Sequence, residues 1–195
     1  MKAMRLAFAA MALGVSAPAL SQAGMGEGGA ALETAIRSGD TAKAVQLIRD
    51  NPNIVEYRNG KGETPLMVAI QNRDPSWAGF LLSQNADPNV ADRDGNTPLI
   101  QASRLGLETP VEWLIQAGAR IDDKNRMGET ALIVAVQRRQ VPIVKLLLAQ
   151  GADPDKADAA AGYSARDYAK RDGRNPEILK MIEATHKKPA VGPAR

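Results

Sequence analysis

The chain has no cysteine, and its one histidine, His186, lies within the last ten residues. Without a thiol there can be no disulfide, no thiolate nucleophile and no cysteine-bound metal. With no histidine in the body of the chain, a serine–histidine–aspartate triad, a histidine metal site and histidine acid–base catalysis are all disfavoured. We therefore expect no enzymatic activity, no metal site and no cofactor.

Aromatic residues are also scarce, at 4% of the chain, although 44% of the residues are hydrophobic. The apolar residues are mainly Ala, Leu, Ile and Val. Small aliphatic side chains allow helices to approach each other closely, so this composition favours many packed helices over one large aromatic core.

No excess of one charge marks the body of the chain, although the net charge is +3. Five of the 25 basic residues lie in the two ends, so residues 24–185 carry 20 basic and 22 acidic groups. The bulk charge therefore gives no support for a nucleic-acid partner.

Long hydrophobic runs are absent too, and the N-terminal run from Leu6 to about Val15 is half of the ~20 residues that span a bilayer. It follows the basic residues Lys2 and Arg5 and precedes small residues at Ser21 and Ala23, which is typical of a secretory signal peptide over residues 1–23. A short membrane anchor and a buried N-terminal helix are the alternatives. The Ala-rich style resembles bacterial signal peptides, which would place the protein in the periplasm, with no membrane contact after cleavage. Residues 24–30 would then be a flexible leader.

The middle of the chain repeats itself. Gly62, Gly95 and Gly128 are 33 residues apart and Gly162 follows after 34, while other columns, such as Leu81, Leu114 and Leu147, keep the same period. A fixed period of this size indicates a solenoid, because a single unit cannot bury its apolar face alone.

Each unit predicts a tight turn and two helices, with strand content low or absent. The glycine serves the turn, and a hydroxyl residue two positions later can cap the first helix. The second helix ends at a residue type that tolerates a left-handed conformation. The capping positions are Thr64, Thr97, Thr130 and Ser164, and the helix-end positions are Asn85, Gly118 and Gly151.

The unit resembles the ankyrin repeat, through Thr64–Leu66, Thr97–Leu99 and Ala86–Asn89, and the resemblance covers about residues 31–184. It implies an all-α solenoid of about five stacked helix-turn-helix units joined by β-turn fingers. The expected boundaries are an N-terminal cap at 31–58, inner repeats at 59–91, 92–124 and 125–157, a C-terminal cap at 158–185 and a disordered tail at 186–195.

The family histidine, which helps to tie the turns together by hydrogen bonds, is missing at all four positions. Its place is taken by Met67, Ile100, Ile133 and Asp167. This departure suggests that apolar packing ties the turns here and that the fingers are looser.

Other candidate sites are weaker. The glycines at 26–29 lack the Lys-Ser/Thr of a phosphate-binding loop. Aspartates at 92–95 and 153–158 suggest calcium, but their spacing fits a twelve-residue loop poorly and turn formation explains them better. Trp77 and Trp113 could stack on a ligand, but their helical spacing among Leu and Phe is more typical of a core.

The resemblance also implies that a protein partner binds to the fingertips and to the exposed side of each first helix. Arg104, Arg138 and Arg171 recur at similar positions and should form a basic row for a partner with an acidic patch, and Leu105, Met127 and Tyr163 would add apolar contacts. Solvated side chains balanced by nearby carboxylates are the alternative reading of each. The candidate residues are Lys61, Glu63, Gln71, Asn72, Arg93, Asp94, Asn96, Arg104, Leu105, Arg126, Met127, Glu129, Gln137, Arg138, Tyr163 and Arg171.

The sequence thus predicts a monomeric, exported protein–protein interaction module: a scaffold, an inhibitor or a protective partner of another periplasmic protein. A secreted effector that binds a host protein is the alternative, and a metal-binding protein or an enzyme fits less well.

Overall fold

The computed structural model of the protein describes residues 20–185, and this range contains ten α-helices and no strand. A 3-10 helix, Pro52–Glu56, follows α2, and an isolated antiparallel bridge joins Ala157 to Ser164. The helices are α1 Leu20–Ser38, α2 Thr41–Asp50, α3 Pro65–Gln71, α4 Pro75–Ser83, α5 Pro98–Leu105, α6 Glu108–Gln116, α7 Ala131–Gln137, α8 Val141–Ala149, α9 Ala165–Arg171 and α10 Pro176–Thr185.

The helices form five consecutive pairs that stack side by side. The first helices α1, α3, α5, α7 and α9 make one row in which each contacts the next, and α4, α6, α8 and α10 make a second row. The four turn segments that contain Gly62, Gly95, Gly128 and Gly162 precede α3, α5, α7 and α9, and we call them the first to fourth fingers.

The predicted caps are confirmed. The hydroxyls of Thr64, Thr97 and Thr130 accept hydrogen bonds from the backbone N–H three residues on, at 3.3–3.4 Å. Ser164 forms a reciprocal capping box with Asp167. These bonds satisfy backbone donors that a helix leaves unpaired in its first turn, which is why each first helix begins at this column.

The second helices of the inner repeats end as predicted. Asn85, Gly118 and Gly151 have φ angles of 64°, 91° and 87°. Positive φ is common for glycine and tolerated by asparagine, so these residues stop the helix at the same point of each inner repeat.

The core consists of columns that recur with the period. Leu66, Leu99 and Leu132 of the first helices are at most 1% exposed, as are Leu81, Leu114 and Leu147 of the second helices. Trp77 is buried in this core, as predicted, and packs edge-on against Phe80. Trp113 is half-buried and lies over Gly79 of the preceding repeat, where a β-carbon would come within 2.9 Å of its Cζ3.

One core position breaks the apolar pattern. Ser103 in α5 is fully buried, and its hydroxyl has no hydrogen-bond partner among the described residues, whereas Ile70 and Val136 occupy the equivalent positions. A buried hydroxyl without a partner loses its hydration and gains nothing in return.

Replacing Ser103 by valine should raise the free energy of unfolding by about 1 kcal/mol, because the unpaired hydroxyl is removed and apolar surface is added. Urea titration should show a higher midpoint with an unchanged slope. Ser103→Ala, which removes the hydroxyl without filling space, should give a smaller gain. A lower midpoint for both variants would mean that the hydroxyl stabilises the fold.

The predicted flexible leader at 24–30 is wrong, because these residues lie within the helix α1. The glycines allow a close contact: a β-carbon on Gly29 would lie 2.1 Å from Cγ of Tyr57, so the tyrosine ring rests against the bare backbone. The composition alone did not predict this helix. In the structure the helix packs against the segment that follows α2.

The two ends are described in part. Within the predicted signal peptide, residues 20–23 belong to α1 and residues 1–19 lie outside the described residues, as does the predicted tail at 186–195. None of the described helices has the length and apolar character needed to cross a membrane.

Candidate partner-binding surface

The fingers are joined to each other through their backbones. The N–H of Arg93 donates to the carbonyl of Lys61, that of Arg126 to Asp94 and that of Ala159 to Met127, at 2.8–2.9 Å. Each bond connects a residue in one finger to a residue in the finger before it. The fingertips therefore form a continuous row, which fixes their backbones relative to each other.

An Asn or Asp column closes each finger from inside. Oδ1 of Asn125 accepts from the N–H groups of Met127 and Glu129 at 3.0 and 2.9 Å, and Asn59 and Asp92 make the same pair of bonds in their fingers. Asp158 accepts from Ala161 and Gly162 in the fourth finger. These side-chain turns bring the chain round to the helix cap.

The expectation that apolar packing ties the turns is incomplete: Met67, Ile100 and Ile133 are buried, but polar side chains also close each turn. The signal was present in the sequence, because Asn59, Asp92, Asn125 and Asp158 share the period of 33. Asn and Asp are common both at exposed turn positions and at buried positions that close a turn. Residue type alone therefore did not identify this column as structural.

Two candidate residues lie beneath the fingers and are not free for a partner. Glu63 is 6% exposed, and its carboxylate accepts from Asn59 Nδ2 at 2.9 Å and from Gln71 Nε2 at 2.6 Å. Asn96 is also 6% exposed, and its Oδ1 accepts from Arg104 and Asn125. These bonds hold their side chains inward, so the placement of Glu63 and Asn96 at exposed fingertip positions is corrected.

The three arginines of the predicted row differ in what they contact. Arg104 donates to Asn96 at 2.9 Å and lies 4.0 Å from a Glu129 carboxylate oxygen. Arg171 donates to the Tyr163 hydroxyl at 2.6 Å and lies over the same ring, 4.6 Å from its centre. Arg138, next to the end of α7, is exposed and makes no side-chain hydrogen bond or ion pair within residues 20–185.

The other candidates also divide into exposed and half-buried residues. Met127 is 52% exposed, which makes it an apolar fingertip open to solvent. Asn72, although exposed, donates to the carbonyl of Ile36, and Leu105 packs partly into the core. The remaining exposed candidates are Lys61, Arg93, Asp94, Arg126 and Gln137, and the remaining half-buried ones are Gln71, Glu129 and Tyr163.

An open cavity of about 430 Å³ lies between the second and third fingers and the helices α5 and α7. Eight of its ten lining residues are candidates from the sequence, and Asn125 and Val134 are the two that sequence reasoning missed. The lining residues are Asp94, Asn96, Arg104, Asn125, Arg126, Met127, Glu129, Val134, Gln137 and Arg138. The structure therefore brings half of the predicted surface together at one place.

A cluster of two arginines and one aspartate lies at the ends of α7 and α9. Asp172 accepts from Arg139 Nε at 2.5 Å and from Arg174 Nε at 3.2 Å. The hydrogen bond from Arg139 lowers the pKa of the Asp172 carboxyl from 3.8 to about 2, against the opposing effect of desolvation, and Arg174 adds to the lowering. This ion pair fastens the last inner repeat to the C-terminal cap.

Replacing Asp172 by asparagine should lower the melting temperature at pH 6, and the gap between variant and parent should close as the pH falls from about 4 to 2. A lowered pKa means that the folded state favours the charged form, so the stabilisation is present above the unfolded pKa and is lost on acidification. Melting curves followed by circular dichroism at several pH values check this. Arg139→Gln should lose most of the same pH-dependent stabilisation, and a gap that is constant down to pH 2 would contradict the prediction.

No group of three or more acidic, histidine or cysteine side chains that could hold a metal ion occurs in the part of the chain that the structure describes. Asp92 closes a finger by accepting backbone N–H groups, and Asp155 pairs with Arg166 at 2.6 Å. These contacts give the acidic fingers a structural role.

Two family models match the chain, both described as ankyrin repeats, one with three copies over residues 75–158 and one with many copies over residues 47–102. Together they span residues 47–158, more than half of the 195 residues. The matched range contains the three inner repeats.

Curated relatives agree with these matches. An ankyrin repeat-containing protein of Treponema pallidum is 29% identical over 65% of this chain and 42% of its own length. The ankyrin repeat domain-containing protein 63 of Homo sapiens is 30% identical over 64% of this chain and 34% of its own length. This chain therefore corresponds to less than half of either relative.

A human palmitoyltransferase, ZDHHC13, is 37% identical over 48% of this chain but over only 15% of its own length. It matches through its ankyrin region alone. The similarity therefore concerns the repeats and carries no transferase activity to this chain.

Proposed function

Since this chain belongs to the ankyrin-repeat family, whose repeats generally bind other proteins, we propose that it is an exported, non-catalytic interaction module that binds a protein partner. The partner is another periplasmic protein with an acidic patch, which the module scaffolds, inhibits or protects. The module acts as a monomer, with one partner-binding surface for each chain.

The observation that carries this proposal is the cavity between the second and third fingers. Eight of its ten lining residues are polar or charged, and the exposed Arg126, Met127 and Arg138 are among them. Arginine and methionine are enriched at protein interfaces, because each offers a large contact area with an adaptable end. The backbone bonds between fingers hold this surface in shape before binding, which lowers the entropic cost of association.

Export is proposed from the pattern of residues 1–23, in which a basic start, a short apolar run and small residues at a possible cleavage point follow in order. A secreted effector with a host partner would use the same binding surface. Fractionation of cells that produce the full chain distinguishes the destinations: a cleaved form in the periplasm supports the proposal, and one in the medium supports the effector.

The binding proposal is tested by cross-linking the full chain in its native cells and identifying proteins that are captured. The variant with Arg126, Arg138 and Arg171 all changed to glutamate should lose the captured partner, because charge reversal opposes an acidic surface. Lys145→Glu is the control, since Lys145 is exposed on α8, a second helix, and does not line the cavity. A partner retained by the triple variant, or lost equally by the control, would place binding elsewhere.

A further inference from the structure

The arginines around the cavity between the second and third fingers differ in whether they already pair with other side chains of the protein. Arg104 already donates to Asn96, and it lies 4.0 Å from Glu129. Arg126 and Arg138 are exposed, and neither side chain makes a hydrogen bond or an ion pair with another described residue. Both line the cavity, one from the third finger and the other from the end of α7.

We propose that this cavity receives the side-chain carboxylate of a Glu or Asp from a partner segment, held between Arg126 and Arg138, with an apolar neighbour of that residue packed on Met127. This inference rests on the proposed function and names the chemistry that the surface recognises. Guanidinium groups bind carboxylates through charge-assisted hydrogen bonds, and two of them can share the two oxygens of one carboxylate.

The net charge of the lining favours one carboxylate over a phosphoryl group. Arg104, Arg126 and Arg138 face two lining carboxylates, Asp94 and Glu129, so the walls carry a net charge of +1. A phosphoserine brings about −1.5 to −2 charges, which exceeds the net +1 of the walls and adds repulsion from Asp94 and Glu129. A single carboxylate neutralises the excess positive charge.

Met127 provides the second contact. It is 52% exposed beside the arginines, and its unbranched thioether adapts to the shape of an apolar side chain. The cavity of about 430 Å³ is at the small end of ligand pockets, so it accommodates side chains of a segment and not a folded unit. An acidic residue next to an apolar one is therefore the pattern that fits.

The test uses the purified full chain, labelled with ¹⁵N, and as the probe the peptide Gly-Ser-Leu-Glu-Leu-Ser-Gly with an acetylated N-terminus and an amidated C-terminus, so that the glutamate is its only carboxylate. Nuclear magnetic resonance follows the Nε–Hε signals of the arginines during titration, which detects affinities into the millimolar range. We expect the signals of Arg126 and Arg138 to shift, with weaker binding as salt is added. Peptides with glutamine or phosphoserine in place of the glutamate should each bind about tenfold more weakly or worse, which corresponds to at least ~1.4 kcal/mol.

Arg126→Gln and Arg138→Gln should each weaken binding of the glutamate peptide by about tenfold, as expected for a central charged contact. Lys145→Gln removes the same charge from the same repeat, on its second helix, and should leave the affinity unchanged. Met127→Ala should weaken the leucine-containing peptide but not a version with glycine in place of both leucines.

Several outcomes overturn the inference: no binding of the glutamate peptide at millimolar concentration, equal binding of the glutamine peptide, or an equal loss in Lys145→Gln. Tighter binding of the phosphoserine peptide overturns it in favour of a phosphorylated segment. The two proposals can fail separately. If a partner is captured but no acidic peptide competes with it, the carboxylate inference fails and the proposed interaction module stands. If no partner is captured, the proposed function fails, whatever the peptides bind.

Discussion

Gly128→Ala is expected to destabilise the protein by about 3 kcal/mol, through strain in the third finger. Gly128 has a φ of 77°, a left-handed conformation that costs about 1–2 kcal/mol for a residue with a β-carbon. That β-carbon would also lie 2.4 Å from the backbone nitrogen of Ala159 in the fourth finger. The same nitrogen donates to the carbonyl of Met127, so the finger cannot move aside without breaking the bond between fingers.

Gly162→Ala separates the two causes. Gly162 has a φ of 68°, but nothing lies within 4 Å of the position that its β-carbon would occupy. This control should therefore lose only the conformational part, about 1 kcal/mol. Urea unfolding of both variants gives the comparison, and equal losses would show that the approach of Ala159 contributes nothing.

Asn125→Ala is expected to lower the free energy of unfolding by about 3 kcal/mol, because several buried polar groups lose their partner at once. Asn125 is 6% exposed, and its oxygen accepts from the N–H groups of Met127 and Glu129. Its amide donates to the Asn96 oxygen at 3.1 Å and to the Glu129 carboxylate at 2.9 Å. Alanine removes the acceptor of the two backbone N–H groups and a donor to Glu129, while the Asn96 oxygen keeps its bond from Arg104.

Asn125→Asp combined with Glu129→Asn is the matched variant, since it reproduces the Asp92–Asn96 pair that closes the preceding finger. Aspartate alone would place a second carboxylate beside that of Glu129, whereas the double variant keeps both the acceptor for the two backbone groups and a side-chain bond within the pair, so we expect a loss of about 1 kcal/mol. Thermal and urea unfolding measure both variants. If the double variant costs as much as Asn125→Ala, the turn-closing bonds are not the source of the stabilisation.

Both predictions include contacts between fingers that sequence reasoning missed, and the reason is physical. The period of 33 predicted the helix pairs, their caps and the buried leucine columns, because capping, turn formation and apolar periodicity depend on residues close together in the chain. Glu63 and Asn96 were expected at the surface, since residue type and spacing do not distinguish an exposed polar side chain from one held inward by hydrogen bonds. Glu63 accepts from Asn59 and Gln71 of its own repeat, and Asn96 accepts from Arg104 of its own repeat and from Asn125, 29 residues away.

In the arginine row, too, the sequence predicted the positions but not the contacts. Its spacing was visible in the sequence, but Arg104 is held by Asn96 and Glu129, and Arg171 by Tyr163, while Arg138 is free of such bonds in the described part of the chain. Which arginine can bind a partner therefore depends on contacts within and between repeats. The leader at 24–30 was misjudged for a similar reason, because its glycines look flexible until Tyr57 is placed against Gly29.

The sequence by itself thus determined the repeated architecture and the ankyrin-repeat family, and it predicted a candidate face for a partner, since each rests on a pattern repeated every 33 residues. The tertiary structure decided which members of that face are exposed, which charges are already paired and where a cavity opens. Those properties arise when the repeats stack, because stacking places side chains some 30 residues apart within hydrogen-bonding distance.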